Sequence, residues 1–396
     1  MRVSASLFRV QVPMATPFGH ARATRTECDN LVLIVEVDGV SGVGECVPRD
    51  YVTGETVDAA FDAICDMDLA IAVDHVVHGN LREGVATLEA FELPRRLSHG
   101  PRPGLAAACA VELALLDVLG KRTSTSLRET VNAMDGSTFV RDVGAVPRRS
   151  RALDTLGRAD DLMKGPYPPD HVKLKGTKDA ALDVARARAV RDTFGDSVTL
   201  SVDANMAWSL ADAISRVDLL RPFDVAWYEE PLRQYAWDDY RHLREQTAAN
   251  VMLDESLCSM DDGRRAVEAG ACDLFNVRIS KHGGLVGALR LAAYAQAHGL
   301  GVHLGVHPGQ SGVLGAAGAH FLRSVESIVA FEGGGTWIGT GGLPVRLIAE
   351  ELQLDHVTRR CHGLLPTGLG VTPQRDAIEH HATRRASFRD GAWSSG

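Results

Sequence analysis

The chain has 396 residues, of which 45% are hydrophobic and 23% charged, and its formal net charge is −9. That length accommodates two domains and a large core. The acidic balance and the lack of any basic run exclude nucleic acid as a partner, and apolar stretches that are strand-sized or broken by charge exclude a membrane-spanning helix.

The seven cysteines (Cys28, Cys46, Cys65, Cys109, Cys258, Cys272 and Cys361) form no CxxC pair. Their odd number and scatter predict reduced thiols in a cytoplasmic protein and argue against a zinc site. The first residues, Met1 to Val10, read as a strand and lack the long apolar region of a signal peptide.

In chain order, short strand-like runs come first: Ser6–Val12, Asp29–Val37 and Gly42–Cys46, with a turn at Asp38-Gly39. They predict an antiparallel meander. Residues 56–90 have apolar positions at helical spacing, and Leu105–Gly120 is an Ala- and Leu-rich helix stopped by glycine. Together these make an N-terminal α+β domain over residues 1–125. Two segments within it, Pro17-Phe18-Gly19-His20 and Pro48 to Glu55, read as loops.

From about residue 138 strands alternate with helices. Strands are expected at Phe139–Val146, His171–Lys175, Val198–Asp203, Val225–Glu229, Asn250–Asp254, Leu274–Ser280, Gly301–Gly305 and Ile328–Glu332. Amphipathic segments at Asp179–Phe194, Leu210–Arg221, Asp261–Gly270 and Leu285–His298 lie between them. The fold class is therefore α/β, a TIM-type (β/α) barrel of seven or eight repeats over residues 126–350. Residues 351–396 return to irregular structure around Gly368-Leu369-Gly370-Val371, and the last few are expected to be disordered.

Three acidic residues close apolar runs at intervals of 26 and 25 residues: Asp203, Glu229 and Asp254. The interval is that of one strand–helix repeat, so the three carboxylates fall at the same end of consecutive parallel strands. Hard oxygen ligands converging on one rim make a Mg2+ site. Strand alternation adds Lys173 and Lys175 to one face, then Ser201 with Asp203, Trp227 with Glu229, and Asn276 with Arg278 and Ser280. It places Glu230 opposite Glu229, outside the ligand set. A bare ion pair between Lys175 and Asp203 is the competing reading. So many ionisable groups at one barrel end are costly to bury unless a ligand or metal uses them.

At these residues the chain resembles the enolase superfamily, and within it the mandelate racemase and muconate lactonizing (muconate cycloisomerase-like) family. Lys173-Leu174-Lys175 resembles the family's Lys-x-Lys on the second strand. Asp203-Ala204-Asn205, Glu229-Glu230-Pro231 and Asp254-Glu255-Ser256 resemble its metal motifs, and Lys281-His282-Gly283-Gly284 its glycine turn. The resemblance implies a cap completed by the C-terminal segment, a homo-oligomer, and Mg2+, or Mn2+ in its place, on Asp203, Glu229 and Asp254. It implies an isomerase or lyase in which Lys175 removes a proton alpha to the carboxylate of a small molecule, forming an enolate that the metal stabilises. Lys173 would hold the enolate oxygen and favour the neutral form of Lys175.

The pattern breaks at Arg278, which stands where the subgroup has its second catalytic lysine. Lys281 has the opposite parity and reads as a loop lysine. Arginine does not deprotonate in a protein, so one-face chemistry is favoured: cycloisomerisation, or alternatively syn elimination of water from a hydroxy acid. Racemisation or epimerisation of an N-substituted amino acid would need a second acid from elsewhere. The Asp-x-Asp with which dipeptide epimerases of the family grip an ammonium is missing after Phe331-Glu332. Candidate substrate contacts are His20 and Tyr51 in the cap loops and His307, Gln310 and Glu332 at strand ends, with Arg49 or Tyr51 placed to meet a polar distal group. His303 and His307 leave two further readings open, a histidine base and a metallohydrolase. A non-catalytic binder on the same fold is a third.

Overall fold

A computed structural model describes residues 1–20, 23–98, 103–129, 134, 148–153, 169–326, 328–332, 343–354 and 361–395. The cap begins with β1 (Val3–Val10), β2 (Pro13–His20), β3 (Ala23–Glu27), β4 (Asn30–Val37) and β5 (Val40–Cys46). Helices α1 (Val57–Asp66), α2 (Leu69–Val76), α3 (Leu81–Phe91), α4 (Leu93–Arg96) and α5 (Leu105–Arg122) follow. The Pro17 to His20 segment is not a loop: β2 and β3 form their own antiparallel ladder, with Phe18 opposite Arg25 and His20 opposite Ala23. The ladder shifts register between Pro13 and Phe18, which is where Pro17, lacking an N–H donor, does least harm.

Helix α5 is buried from Leu105 to Gly120 and apolar there except at Glu112 and Asp117, as suits a helix enclosed on several sides. It lies directly on β5. A Cβ at Gly44 would stand 1.9 Å from the carbonyl oxygen of Ala110, and one at Gly42 2.3 Å from that of Ala114. The two glycines are what allow helix backbone to rest on strand backbone.

The second domain is a closed barrel of eight parallel strands. They are β6 (Arg148–Leu153), β7 (His171–Lys175), β8 (Thr199–Asp203), β9 (Val225–Glu229), β10 (Val251–Leu253), β11 (Leu274–Val277), β12 (Gly301–Leu304) and β13 (Ile328–Glu332). Each pairs with the next, and β13 returns to β6. The strand expected at Phe139–Val146 lies outside the described residues, and the first barrel strand is Arg148–Leu153. The outer helices are α6 (Ala180–Phe194), α7 (Leu210–Leu220), α8 (Trp237–Thr247), α9 (Met260–Glu268), α10 (Leu285–Ala297) and α11 (Gly312–Ser324). Sequence reading did not place α8 and α11, for opposite reasons. Helix α8 is almost wholly polar, burying Tyr240, Leu243 and Thr247 alone, while α11 carries Gly312, Gly315 and Gly318, poor helix formers that packing overrides. Among the described residues no helix is long and apolar enough to cross a membrane.

The described residues of the tail form regular elements. After β14 (Gln353–Leu354), β15 (Cys361–His362) and α12 (Arg375–His380), strand β16 (Ala382–Arg389) pairs antiparallel with β1, and β17 (Ala392–Ser395) pairs with β16. The cap sheet thus runs β17-β16-β1-β4-β5. Expected disorder at the end is overturned because β16 buries Ala386 and Phe388, and Trp393 packs its ring 5.4 Å from that of Phe388. The Gly368 segment wedges between domains: Leu369 donates its N–H to Asp117 of α5 (2.7 Å), and its carbonyl meets His320 Nε2 of α11 (2.9 Å).

Two buried carboxylates of the cap hold the starts of barrel helices. Glu45 of β5 accepts from the N–H of Ser311 (2.8 Å), its hydroxyl (2.7 Å) and the N–H of Leu314 (3.0 Å) at the start of α11. Glu112 of α5 accepts from the N–H of Val286 (3.0 Å) in the first turn of α10. Negative charge at a helix N-terminus meets unpaired N–H groups and the positive end of the dipole. The loops after β11 and β12, which open into these helices, are therefore set by the cap.

Candidate active site

Strand register brings the site residues level. Lys175 pairs with Asp203, Asp203 with Glu229, and Glu229 with Met252, so that Asp254 stands just past the end of β10. Val172 and Leu174 point to the helices, leaving Lys173 and Lys175 on the inner face.

The ammonium of Lys173 is fully buried and lies 3.1 Å from Asp203 Oδ2 and 2.7 Å from Glu229 Oε2, and it also bonds Glu332. Lys175 Nζ is 2.5 Å from Asp203 Oδ2 and 3.3 Å from Asn205 Oδ1. Arg278 bonds Asp254 and comes within 3.8 Å of Glu229 Oε1. Asn276 donates to Glu229 Oε1 (2.8 Å), and its own oxygen meets His303 Nδ1 (3.2 Å). His303 is further enclosed by the rings of His171 and Trp227, at 6.3 and 6.4 Å.

Lys281 corrects the sequence reading. It does lie in a turn, as read, but it is fully buried and reaches the site: its ammonium donates to Asp254 Oδ1 (2.6 Å), the Asp254 carbonyl (2.6 Å) and the Asn276 carbonyl (3.0 Å). The cause is local. β11 ends at Val277, not at Ser280 as expected, and Ile279 has φ −54° and ψ −52°, opening a 3-10 turn over Ser280–His282. The N–H of Arg278 donates to His282 Nδ1 (3.2 Å) in place of a ladder bond. Two-residue alternation holds only in extended backbone, so it says nothing of side chains beyond Val277.

Glu255 was missed for the same reason, since β10 stops two residues earlier. It is buried, receives a bond from Asn205 Nδ2 (3.0 Å), and its Oε2 has no hydrogen-bond partner among the described residues. Glu230 does face away from the ligand set. It accepts from the N–H groups of Asp254 (2.7 Å) and Ser256 (3.1 Å) and from the Tyr240 hydroxyl (2.8 Å), which holds the Asp254 loop in place.

Of the proposed substrate contacts, Glu332 pairs with Lys173 and accepts from the N–H of Val306 (3.0 Å). Gln310 turns back to accept from the N–H of His307 (3.2 Å). Tyr51 is half-buried against Val52, Leu105 and Cys258, with the Arg25 guanidinium 5.9 Å from its ring centre. His307 is buried beneath the cap. His20 is the last residue of β2.

The electrostatics divide the groups by role. Burial opposes the charge on Lys173, but Asp203, Glu229 and Glu332 outweigh it and raise its pKa well above the ordinary lysine range. Burial likewise opposes the charge on Asp203, but Lys173 and Lys175 hold that carboxyl low. Glu229 is pushed up to about 8, by burial first and by Asp203 next. Burial takes His303 down to about 4 and His307 well below its ordinary value, so both rings are neutral.

Six carboxylates gather at this end (Asp203, Glu229, Glu230, Asp254, Glu255, Glu332) against four cations (Lys173, Lys175, Arg278, Lys281). Burial raises Glu229, Glu230 and Glu255 toward their protonated forms, and the cluster offers hard oxygen donors of the kind that a divalent cation such as Mg2+ takes. Among the described residues no three such side chains already stand at metal-ligand geometry, because Lys173 lies between Asp203 and Glu229.

An eight-stranded β/α barrel that gathers carboxylates and lysines at its strand ends, under an α+β cap, has the architecture of barrel enzymes, whose active sites lie at the C-terminal ends of the strands. Comparison with known families agrees. A family model described as enolase C-terminal domain-like matches residues 159–377, and one for the mandelate racemase/muconate lactonizing enzyme N-terminal domain matches residues 2–131. The chain belongs to the mandelate racemase/muconate lactonizing enzyme family of the enolase superfamily.

Similar proteins include an o-succinylbenzoate synthase of Geobacillus stearothermophilus, 31% identical over 71% of this chain and 70% of that protein. An N-succinyl-L-Arg/Lys racemase of Bacillus cereus is 25% identical over 84% of this chain and 87% of its own length. A crystal structure of the N-succinyl Arg/Lys racemase from that species superposes with a TM-score of 0.81, covering 98% and 100% of the two chains at 22% identity. A dipeptide epimerase from Cytophaga hutchinsonii, solved with Mg and the dipeptide D-Ala-L-Val, gives 0.80 over 98% and 100% at 22% identity.

Proposed function

We propose that the chain uses Asp203, Glu229 and Asp254 to hold Mg2+ and Lys175 to remove a proton alpha to a substrate carboxylate, in an isomerase reaction of the muconate cycloisomerase kind. The observation that carries this reading is the pair of lysines on one strand face, both reaching Asp203 Oδ2. Because both Nζ atoms meet one oxygen they are neighbours, which puts the base beside the charged group that would receive the enolate oxygen. The alpha C–H electrons pass into the carboxylate as the proton moves to Lys175 Nζ, and Lys173 is placed to neutralise the enolate oxygen. Bound Mg2+ supplies Lewis acidity toward the substrate carboxylate.

Across the site, Arg278 is tied to Asp254, and Lys281 is committed to three acceptors. An arginine does not serve as a base at ordinary pH. The proton is then given back by Lys175 on the face from which it left, to another carbon in an isomerisation or to a departing hydroxyl in a syn elimination. The activities of the similar proteins favour a second reading, racemisation or epimerisation of an N-substituted amino acid. That reading requires an acid on the Arg278 face.

The test is exchange of alpha protons for deuterium over a panel of carboxylic acids in D2O with Mg2+, read by NMR. Wild type should exchange at one face, and Lys175→Ala should lose exchange while still binding metal. Exchange retained in Lys175→Ala would overturn the assignment, and appearance of the opposite enantiomer would select the racemase reading.

A further inference from the structure

The chain at and just past Lys175 is held from outside the barrel. The peptide link between Lys175 and Gly176 is bonded in both directions. The Gly176 N–H donates to the Asp203 carbonyl on β8 (2.7 Å), and the Lys175 carbonyl accepts from Arg186 Nη1 of α6 (2.6 Å). That carbonyl lies one residue beyond the last described β6–β7 pair, Leu153 with Leu174. A trans peptide is planar, with its carbonyl and N–H opposed, so bonds at both ends leave it little freedom to rock.

The next residues are held in the same way. The N–H and hydroxyl of Thr177 donate to Asp183 Oδ1 of α6 (2.9 and 2.8 Å), and the Lys178 carbonyl accepts from Arg216 Nη2 of α7 (2.7 Å). Arg216 also pairs with Asp183, and its guanidinium lies 4.9 Å from the ring centre of Trp208. Trp208 Nε1 donates to the Thr177 carbonyl (3.2 Å), and a Cβ at Gly176 would stand 3.0 Å from the Trp208 ring. Asp183, Arg186 and Arg216 are all buried, and burying charge is costly. A staple between α6 and α7 would need only the Asp183–Arg216 pair. Arg186, one turn from Asp183 on α6, instead reaches the backbone of Lys175 itself.

We propose that Arg186 is a positioning residue for the proton transfer: by holding the Lys175 carbonyl it fixes the main-chain root from which the base projects, and the Asp183–Arg216 pair holds the segment behind it. This rests on the reading of Lys175 as the base. A lysine stem is long and flexible. Its tip is located by Asp203 Oδ2 (2.5 Å) and Asn205 Oδ1 (3.3 Å), and its root by the peptide that Arg186 holds. A shift of about 1 Å at a reacting atom can cost about 100-fold in rate. Arg186 stands in the helix layer, outside the strands that line the site, so acid binding should not depend on it. The rival role is a purely structural one, a buried charge that ties α6 to the barrel.

The experiment compares Arg186→Met and Arg186→Lys with Arg191→Met. Arg191 is the control because it lies on the same helix but bonds carbonyls that precede β8 and β9, at the opposite end of the barrel: Phe223 (2.9 Å), Gly195 (3.0 Å), Val198 (2.7 Å) and Asp224 (3.1 Å). Each Mg2+-loaded protein is assayed for deuterium exchange into the panel acid that wild type exchanges fastest, for binding of that acid by titration calorimetry, and for melting temperature. Arg186→Met should exchange about 10- to 100-fold more slowly, with the dissociation constant of the acid within about twofold of wild type. Arg186→Lys, which keeps a donor, should recover most of the lost rate. Arg191→Met should melt lower and exchange at the wild-type rate. If Arg186→Met does not fold, Arg186→Gln, whose shorter amide stops short of the carbonyl, takes its place. A crystal structure of the slow variant should show Lys175 Nζ displaced by about 1 Å or more. Exchange slowed no further than in Arg191→Met overturns the proposal, as does acid binding lost in step with rate. If exchange is lost in Lys175→Ala but untouched in Arg186→Met, the enolate reading stands and the positioning role falls. If no acid exchanges with wild type, the enolate reading falls and the crystal structure decides for Arg186: Nζ in its wild-type place overturns the positioning role, and a displaced Nζ upholds it.

Discussion

Glu112 makes the joint between cap and barrel sensitive to pH. Its carboxyl is fully enclosed, accepts from the first turn of α10, and is pushed up to about 8, by burial first, against the pull of the Val286 and Leu285 N–H groups. The other charge that bears on it is that of Glu89 of α3, which pairs with Arg290 of α10 at 2.6 Å. A carboxyl whose folded pKa lies above its unfolded one stabilises the fold fully below the unfolded value, and that stabilisation is lost as pH climbs through the folded value. The window is therefore 4.5 to about 8. At ~1.4 kcal/mol per pH unit the full span is worth at most about 5 kcal/mol. Glu112→Gln keeps the shape and one accepted bond but cannot ionise. Urea unfolding of both proteins at pH 5, 7 and 9 and constant ionic strength, followed by tryptophan fluorescence, isolates the effect as a difference. Wild type should lose about 3–5 kcal/mol relative to Glu112→Gln between the ends of that range. Parallel profiles would refute the reasoning, because Glu112 would then be ionised throughout and held by the helix terminus.

Gly44→Ala drives a Cβ to 1.9 Å from the Ala110 carbonyl, which is helix backbone and cannot rotate aside. It should cost about 3 kcal/mol or more in chemical denaturation, and a wild-type midpoint would refute the close packing. Lys281→Met removes one of the two cations on buried Asp254 and should cost about 3 kcal/mol. A loss below about 1 kcal/mol would mean that Arg278 alone neutralises the carboxylate. Tyr240→Phe deletes a donor shared by Glu230 (2.8 Å) and the Leu232 carbonyl (3.0 Å). A fall of about 1–3 kcal/mol with weaker Mg2+ binding is expected, since Glu230 holds the Asp254 loop, and unchanged metal affinity would uncouple the two.

Local sequence determined the periodic parts of this protein. His171–Lys175, Val225–Glu229 and Ile328–Glu332 are strands as read, because alternating or β-branched and aromatic runs of this length between polar breaks are too short for a helix. The same periodicity put Asp203, Glu229 and the two lysines on one face and turned Glu230 away, and inside a ladder side-chain direction is set by the pleat. Tertiary structure decided what lies past the strand ends. Lys281 and Glu255 enter the charged cluster through turns whose dihedrals no alternation predicts. Glu45 meets Ser311 across 266 residues and Glu112 meets Val286 across 174, and β16 completes the sheet of β1 from the far end of the chain. Such contacts leave no local trace, because a buried charge is stabilised by whatever group the fold brings to it, and sequence neighbours carry no record of that group.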